Sequence, residues 1–310
     1  MGIIDRYRQR IVDSATGMFK HADYPMKDSL SYPGDPGLFG PDSVSWRVIG
    51  DVAAFLGGVR ALLVQAAHPE VVAGVADHSR YREDPLGRLS RTSNYVTATT
   101  FGAIPEVEEA VRVVRGVHRR VNGTSHRGRP YSADTPAMAA WVHNALTDSF
   151  LVAYRRFGAR PMSEEEADRF VAEQRSVGAL LDADPIPDTA DSLAKWIADH
   201  PEIGDSPGKR EAIAFLRKPP LPPTVRLGYR VLFQGAVATM PVPIRRALGV
   251  RRHPGAVTVA KLMLRFLRWS LGSSPSWKLA LVRAGAPIPE GLFLQPLPTE
   301  TLDAWNRGAS

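Results

Sequence analysis

Apolar residues recur along most of the chain at steps of three and four, the spacing of one face of a helix. The clearest stripe runs from Pro105 to Val121. Val107, Val111, Val114 and Val121 follow an i, i+4, i+7, i+14 series there, and His118 fills its gap. An imidazole therefore stands where a core methyl group is due. Pro105 suits a first helical turn, Glu106, Glu108 and Glu109 lie against the positive end of the dipole, and Arg119, Arg120, Asn122 and Gly123 close the helix.

The same pattern predicts the rest of the elements. Residues 1–24 read as one amphipathic helix, and the prolines and glycines of residues 25–44 as an irregular arm. Ser45 to Ala67 reads as one buried helix, with His68 at its end satisfying the last carbonyls ahead of Pro69. Gly57 and Gly58 inside it cost about 1 kcal/mol each relative to Ala, which calls for the close approach of another helix or of a flat ligand. Asp77-His78-Ser79 reads as a turn. Asp84 and Pro85 then cap a helix to Phe101, whose face Arg88, Thr92, Tyr95 and Thr99, with Arg91 beside it, reads as the wall of a polar cavity.

Thr135-Pro136 opens a long helix to Phe157, on which His143 and Thr147 share a face. Ser163 to Glu166 is a capping box for the next helix. Shorter helices follow between prolines up to Arg283, and no strand-turn-strand pattern stands out. The expected fold class is all-α: a single multi-helix domain over 45–284, an N-terminal helix and arm over 1–44, and a C-terminal extension over 285–310.

Composition narrows the chemistry. The 310 residues are 44% hydrophobic and contain no cysteine, which removes disulfides, thiolate nucleophiles, iron–sulfur clusters and thiolate-held haem. The formal charge of +7 is uneven, because residues 201–270 hold thirteen Lys or Arg against three Asp or Glu. That segment suits an anionic membrane surface, giving peripheral membrane contact as one expectation. No nucleic-acid motif accompanies it, and Phe215, Tyr229, Phe233, Phe266 and Trp269 read as buried helix positions, so no nucleic-acid partner is expected. Asp5, Arg6, Arg8, Arg10 and Asp13 interrupt any apolar signal core, and no later stretch reaches the roughly 20 uncharged apolar residues of a membrane span, so a soluble, cytoplasmic protein is the expectation.

Phosphate loops, a His-Glu-x-x-His zinc helix, a Gly-x-Ser-x-Gly elbow and paired Glu-x-x-His di-iron motifs are all missing from the sequence. What remains is Arg88-x-x-Arg91-Thr92 and Arg115-x-x-His118. Spacing alone leaves His118 with two readings, a core histidine bonded to a neighbour or a metal ligand. Chemically the set suits haem b, with one neutral imidazole for iron and arginines for the propionates.

The segments Gln65-Ala-Ala-His-Pro69, Asp77-His-Ser79, Asp84-Pro85, Arg88-Leu-Ser-Arg-Thr92, Arg115-Gly-Val-His118, Gly128-Arg-Pro-Tyr131 and Trp141-Val-His143 carry a resemblance. Together they resemble the haem family of the fungal MpaB-type oxygenases, with the bacterial rubber oxygenases, or latex-clearing proteins, as more distant members. The resemblance implies a globin-like set of helices around b-type haem. It makes His118 the proximal iron ligand, sets Arg115 in its supporting shell, and lines the haem pocket with Arg88 and Thr92. Arg91 falls where rubber oxygenases have a lysine that can ligate iron. An arginine keeps its proton near neutral pH and is a poor ligand, so an open or water-occupied distal side is expected, with His68 or His143 within reach.

The expected function is a haem b-dependent oxygenase or related oxidoreductase acting with O₂ on a small hydrophobic substrate, alkenes included. Arg91, Thr92, His68 and His143 are its catalytic candidates. The rival expectations are a non-catalytic haem-binding protein and a basic helical membrane-surface protein without cofactor.

Overall fold

The computed structural model describes residues 24–79, 82–289 and 301–303, with Arg6, Arg8 and Ile11. The helix expected over residues 1–24 falls mostly outside them, although Arg6, Arg8 and Ile11 are helical. Most of the expected C-terminal extension falls outside them as well.

The fold is all-α. A 3-10 turn at Ser29–Ser31 precedes helices α1 (Val44–Gly50), α2 (Ala53–Gln65), α3 (Pro69–His78), α4 (Pro85–Phe101) and α5 (Ile104–His118). After a short ribbon come α6 (Pro136–Phe157), α7 (Glu164–Ala179), α8 (Ala190–Ala198), α9 (Pro207–Arg217) and α10 (Pro223–Thr239). The last described are α11 (Val242–Leu248), α12 (Ala256–Leu271) and α13 (Pro275–Arg283). Among the described residues, no single helix is long and apolar enough to cross a membrane.

Proline and side-chain caps set most helix starts. Asp84 accepts from the Gly87 N–H, Ser163 and Glu166 exchange the two bonds of a capping box, and Pro69, Pro85, Pro136, Pro207, Pro223 and Pro275 stand in first turns. Three expectations need correction. The helix expected over 45–67 breaks at Asp51, whose backbone is extended and whose carboxylate takes a bidentate pair from Arg268 at 2.6 and 3.0 Å. Asp77 and His78 end α3 instead of forming a separate turn. Finally, Asn122–Thr124 pairs antiparallel with Pro130–Ser132, a ribbon too short to show an alternating pattern.

Contacts divide the chain into two compact units, the first being Met1–Val52, Arg80–Val114 and Arg265–Ser310, the second Ala53–Ser79 and Arg115–Leu264. In the first, Met26, Trp46, Phe101, Leu279, Ala280 and Leu281 form a core in which the Trp46 and Phe101 rings lie 6.0 Å apart. A Cβ on Gly50 would sit 2.5 Å from the Trp277 ring, so glycine is what lets α13 close on α1. Arg283 is fully buried beside them, donating to Ser29 Oγ at 2.6 Å and to the Asp35 carbonyl at 2.8 Å.

The second unit is built around α2. A Cβ on Gly57 would lie 2.7 Å from a ring carbon of Phe150 on α6, and one on Gly235 of α10 would lie 2.7 Å from Leu56. Close helix approach is therefore the reason for Gly57, while a Cβ on Gly58 would meet nothing within 4 Å. Between α2 and α6, the buried Arg60 donates to Asp148 at 2.6 Å and to Ser149 Oγ at 2.8 Å.

Candidate functional site

Helix α6 carries most of the candidate chemistry of the second unit, and its first turns hold Trp141 and His143. Trp141 Nε1 donates to the Gln65 carbonyl at 3.3 Å, which fixes the last turn of α2 over it. His68 follows that turn. Its backbone N–H closes α2 on the Gln65 carbonyl at 3.2 Å, and its ring caps the next helix, where Nδ1 accepts the Val71 N–H at 3.4 Å. Pro69, read from sequence as a stop, is the first residue of α3.

The cap assigns the proton of neutral His68 to Nε2. Burial pushes its pKa down to about 4, against the opposing charge of Glu70, whose Oε2 is 3.5 Å from Nδ1. His68 belongs to an aromatic group. Its ring lies 5.6 Å from Trp141 and 5.7 Å from His200, and His200 lies 4.6 Å from both Trp141 and Trp196. His200 accepts the Glu202 N–H at Nδ1, and burial lowers its pKa too.

Beneath His68 the buried Glu70 gathers a polar hub. It accepts from Ser125 Oγ at 2.9 Å and from Arg127 Nε at 3.0 Å, with a second, shorter bond from Arg127 Nη2. Burial raises the carboxyl of Glu70, but the bonds from Arg127 and Ser125 outweigh it and leave the pKa at about 2. Arg127 and Arg129 also meet on Glu202, at 2.9 and 2.6 Å. Tyr131, from the ribbon, donates to Asp77 of α3, and burial pushes its pKa up to about 12. Asp77 and Tyr131 thus tie the ribbon to α3.

His143, two residues beyond Trp141, is half-buried under α7. A Cβ on Gly178 would stand 3.0 Å from its Nε2, so only glycine lets α7 come this close. Thr147 Oγ1 lies 3.4 Å from the same nitrogen and donates to the His143 carbonyl at 3.0 Å. Burial brings the pKa of His143 to about 4, while a bond to the backbone of Gln174 works the other way.

His118 is the last residue of α5 and is half-buried. Among the described residues its ring has no hydrogen-bond or ion-pair partner. Burial lowers its pKa, opposed by the charge of Asp134, so at neutral pH it is an uncharged imidazole with a lone pair. Of the two readings left open by the sequence, the core histidine bonded to a neighbour finds no such bond among the described residues. Arg115, one turn earlier, is engaged: its Nε donates to the Leu180 carbonyl at 3.0 Å and its Nη1 to Asp182 at 2.7 Å. The 178–182 turn therefore touches both His143, through Gly178, and the helix end that presents His118, through Arg115.

Arg88, Arg91 and Thr92 belong to the first unit. Arg91 is exposed and lies 3.3 Å from Asp84, the cap of its own helix, and Thr92 Oγ1 donates back to the Arg88 carbonyl at 3.2 Å. Thr99 likewise bonds the Tyr95 carbonyl at 2.9 Å, so both threonine hydroxyls return to their own helix.

Sequence reasoning missed Glu70, Arg127, Trp196, His200 and the 178–182 turn. The i, i+4 pair of Trp196 and His200 was the available signal. Nothing local marks Glu70, whose partners lie 55 and 57 residues along the chain. Among the described residues, no group of three or more His, Cys, Asp or Glu is placed to hold a metal ion by side chains alone.

Neither a curated protein nor a solved structure matches the chain. Residues 46–269 match the family described as "ER-bound oxygenase mpaB/B'/Rubber oxygenase, catalytic domain". This stretch includes His68, His118, His143 and the Arg88 to Thr92 turn and covers well over half of the sequence, and the chain therefore belongs to the MpaB/rubber oxygenase catalytic-domain family.

Proposed function

We propose that the protein is a haem b-dependent oxygenase that acts with O₂ on a small hydrophobic substrate, with His118 as the protein's ligand to iron. The observation that carries this reading is the His118 ring, half-buried at a helix end, uncharged, and without a side-chain or backbone partner among the described residues. A porphyrin brings four nitrogens to its iron and asks the protein for a single imidazole, so this donor set fits the group. Family membership supports the oxygenase class. Bound haem would supply the iron centre at which O₂ is held and activated.

The chain's own residues do the rest. Arg115, pinned to Leu180 and Asp182, fixes the last turn of α5 and with it the direction of the His118 ring. Arg88 and Arg91 are cations of the kind that pair with propionate carboxylates, and among the described residues the pair that Arg91 makes, with Asp84, is exposed. An arginine at position 91 keeps its protons near neutral pH and would be a poor ligand to iron. His143 remains uncharged down to about pH 4 and holds a ring proton in a region that α7 shields from water. His68, committed to its cap and to the aromatic group, orients α3 and is less free to act.

The test is O₂ consumption by purified protein loaded with haem, over a panel of small alkenes and arenes, with isotopically labelled O₂ traced into product. Label in an organic product supports the reading. Stoichiometric haem with no consumption for any substrate would leave a haem-binding protein, and failure to take up haem would remove the cofactor assignment.

A further inference from the structure

The most basic stretch of the chain also carries its most exposed apolar side chains. From residue 212 to 289 there are thirteen Lys or Arg and no Asp or Glu. Within it α10 and α12 pack closely: a Cβ on Gly235 would stand 2.8 Å from Ala260, and one on Gly228 would stand 3.9 Å from Met263 Sδ. Leu227 and Leu262, the neighbours of that second contact, are 71% and 61% exposed. Val259, Phe266 and Trp269 are 51%, 46% and 47% exposed, although Phe266 and Trp269 were expected to be buried.

Val259, Leu262, Phe266 and Trp269 fall at i, i+3, i+7 and i+10, one stripe of a helix. Ala260, Leu264 and Leu271 on α12 are buried. The helix therefore has two apolar faces, one packed and one bare. Single exposed aliphatics are ordinary, but a stripe of them marks an interaction surface. Arg226, Arg230, Lys261 and Arg265 on the same two helices are exposed, and among the described residues none has an ion-pair partner. Among the described residues the Arg226 guanidinium bonds the Leu221 carbonyl, at 3.1 Å. At the far end of the stripe, Arg8 lies 4.8 Å over the Trp269 ring and adds another cation.

We propose that this face docks on an anionic lipid bilayer, with Leu227, Val259, Leu262 and Phe266 entering the boundary between headgroups and acyl chains. Arg226, Arg230, Lys261 and Arg265 meet the lipid phosphates. A nucleic acid would answer the cations but leave the aliphatic stripe against water and phosphate. A second copy in two-fold contact would bring the same cations face to face. An anionic bilayer alone answers both features, because its apolar depth lies directly beneath a plane of negative charge. This docking needs no cofactor and stands apart from the oxygenase reading.

The experiment is sedimentation of the full chain with phosphatidylcholine vesicles, with and without phosphatidylserine as a minor component, at low and high salt. Binding is expected to the anionic vesicles at low salt and to fall as salt rises. The K261E/R265E variant should lower the partition coefficient by at least about 25-fold, from about fivefold for each cation lost. Leu227→Ser with Leu262→Ser should lower it about tenfold per leucine. Far-UV circular dichroism checks that these surface variants fold, and the comparison of vesicle types stands without them. Absence of binding to anionic vesicles at low salt would overturn the proposal, as would binding that both variants leave unchanged. So would tight binding to duplex DNA, or a dimer that Leu262→Ser dissociates, in a protein that ignores vesicles.

Discussion

Replacing Asp148 by alanine should be among the most damaging single changes to the second unit. Arg60 is 1% exposed, and its Nη1 has two acceptors, the Asp148 carboxylate at 2.6 Å and the Ser149 hydroxyl at 2.8 Å. Its Nε is buried without a partner among the described residues, so the guanidinium has a bond unmade there. Removing the carboxylate leaves a cation in a dry interior with a neutral hydroxyl alone, a cost of about 3–5 kcal/mol. For a domain of this size each kcal/mol is about 2–4 °C, so the unfolding temperature should fall by about 6–20 °C. Asp148→Asn keeps the shape and an acceptor and should lose less. The double change Arg60→Met with Asp148→Leu removes both charges together and should unfold near the parent temperature or above it. Scanning calorimetry on the four proteins decides. If Asp148→Ala lowers stability by less than about 1 kcal/mol, or the double variant is the worst of the set, the pair is solvated and the packing of α2 on α6 is misassigned. The point bears on function because this helix pair carries Trp141 and His143 and leads into His68.

The two adjacent glycines of α2 should respond oppositely. Gly57→Ala drives a methyl into Phe150 and should cost about 1–3 kcal/mol, whereas Gly58→Ala meets open space and should gain about 0.5–1 kcal/mol, both read by urea unfolding. Acid should weaken the fold in two steps. His68, lowered to about 4 from 6.5, contributes stability that is complete above pH 6.5 and lost as pH falls towards 4; Glu70, held at about 2 against 4.5, contributes stability lost between pH 4.5 and 2. His68→Asn, which keeps a helix cap, should flatten the first part of a profile of unfolding temperature against pH, leaving the share of His143 and His200. Glu70→Gln should flatten the second, and slopes unchanged in both variants would contradict the assignments.

Helix starts were the most legible feature of the sequence, because Pro85, Pro136 and Ser163 act through local backbone chemistry that needs no tertiary partner. The break at Asp51 was not, since apolar spacing continues across it and the carboxylate's partner, Arg268, is 217 residues distant. Pro69 shows how one residue supports two readings: it ends a helix for a reader coming from Leu63 and begins one for His68, and only the Val71 N–H decides between them. The glycine packed against His143, Gly178, looked like any helical glycine until α7 was laid on α6. His118 stood out through its place in a valine stripe, and that pattern could not show whether its ring had a partner. The exposure of Phe266 and Trp269 was hidden for a related reason, because α12 is apolar on two faces and periodicity does not say which is packed.

The iron ligand is best tested by haem titration of the purified protein, followed by absorption, comparing the parent with His118→Ala and His143→Ala. A stoichiometric Soret band is expected for the parent and for His143→Ala, whose O₂ reactivity alone should change. His118→Ala should retain no haem while keeping its far-UV circular dichroism and unfolding temperature. Equal haem occupancy and an unshifted Soret band in His118→Ala would contradict the assignment of iron to that imidazole.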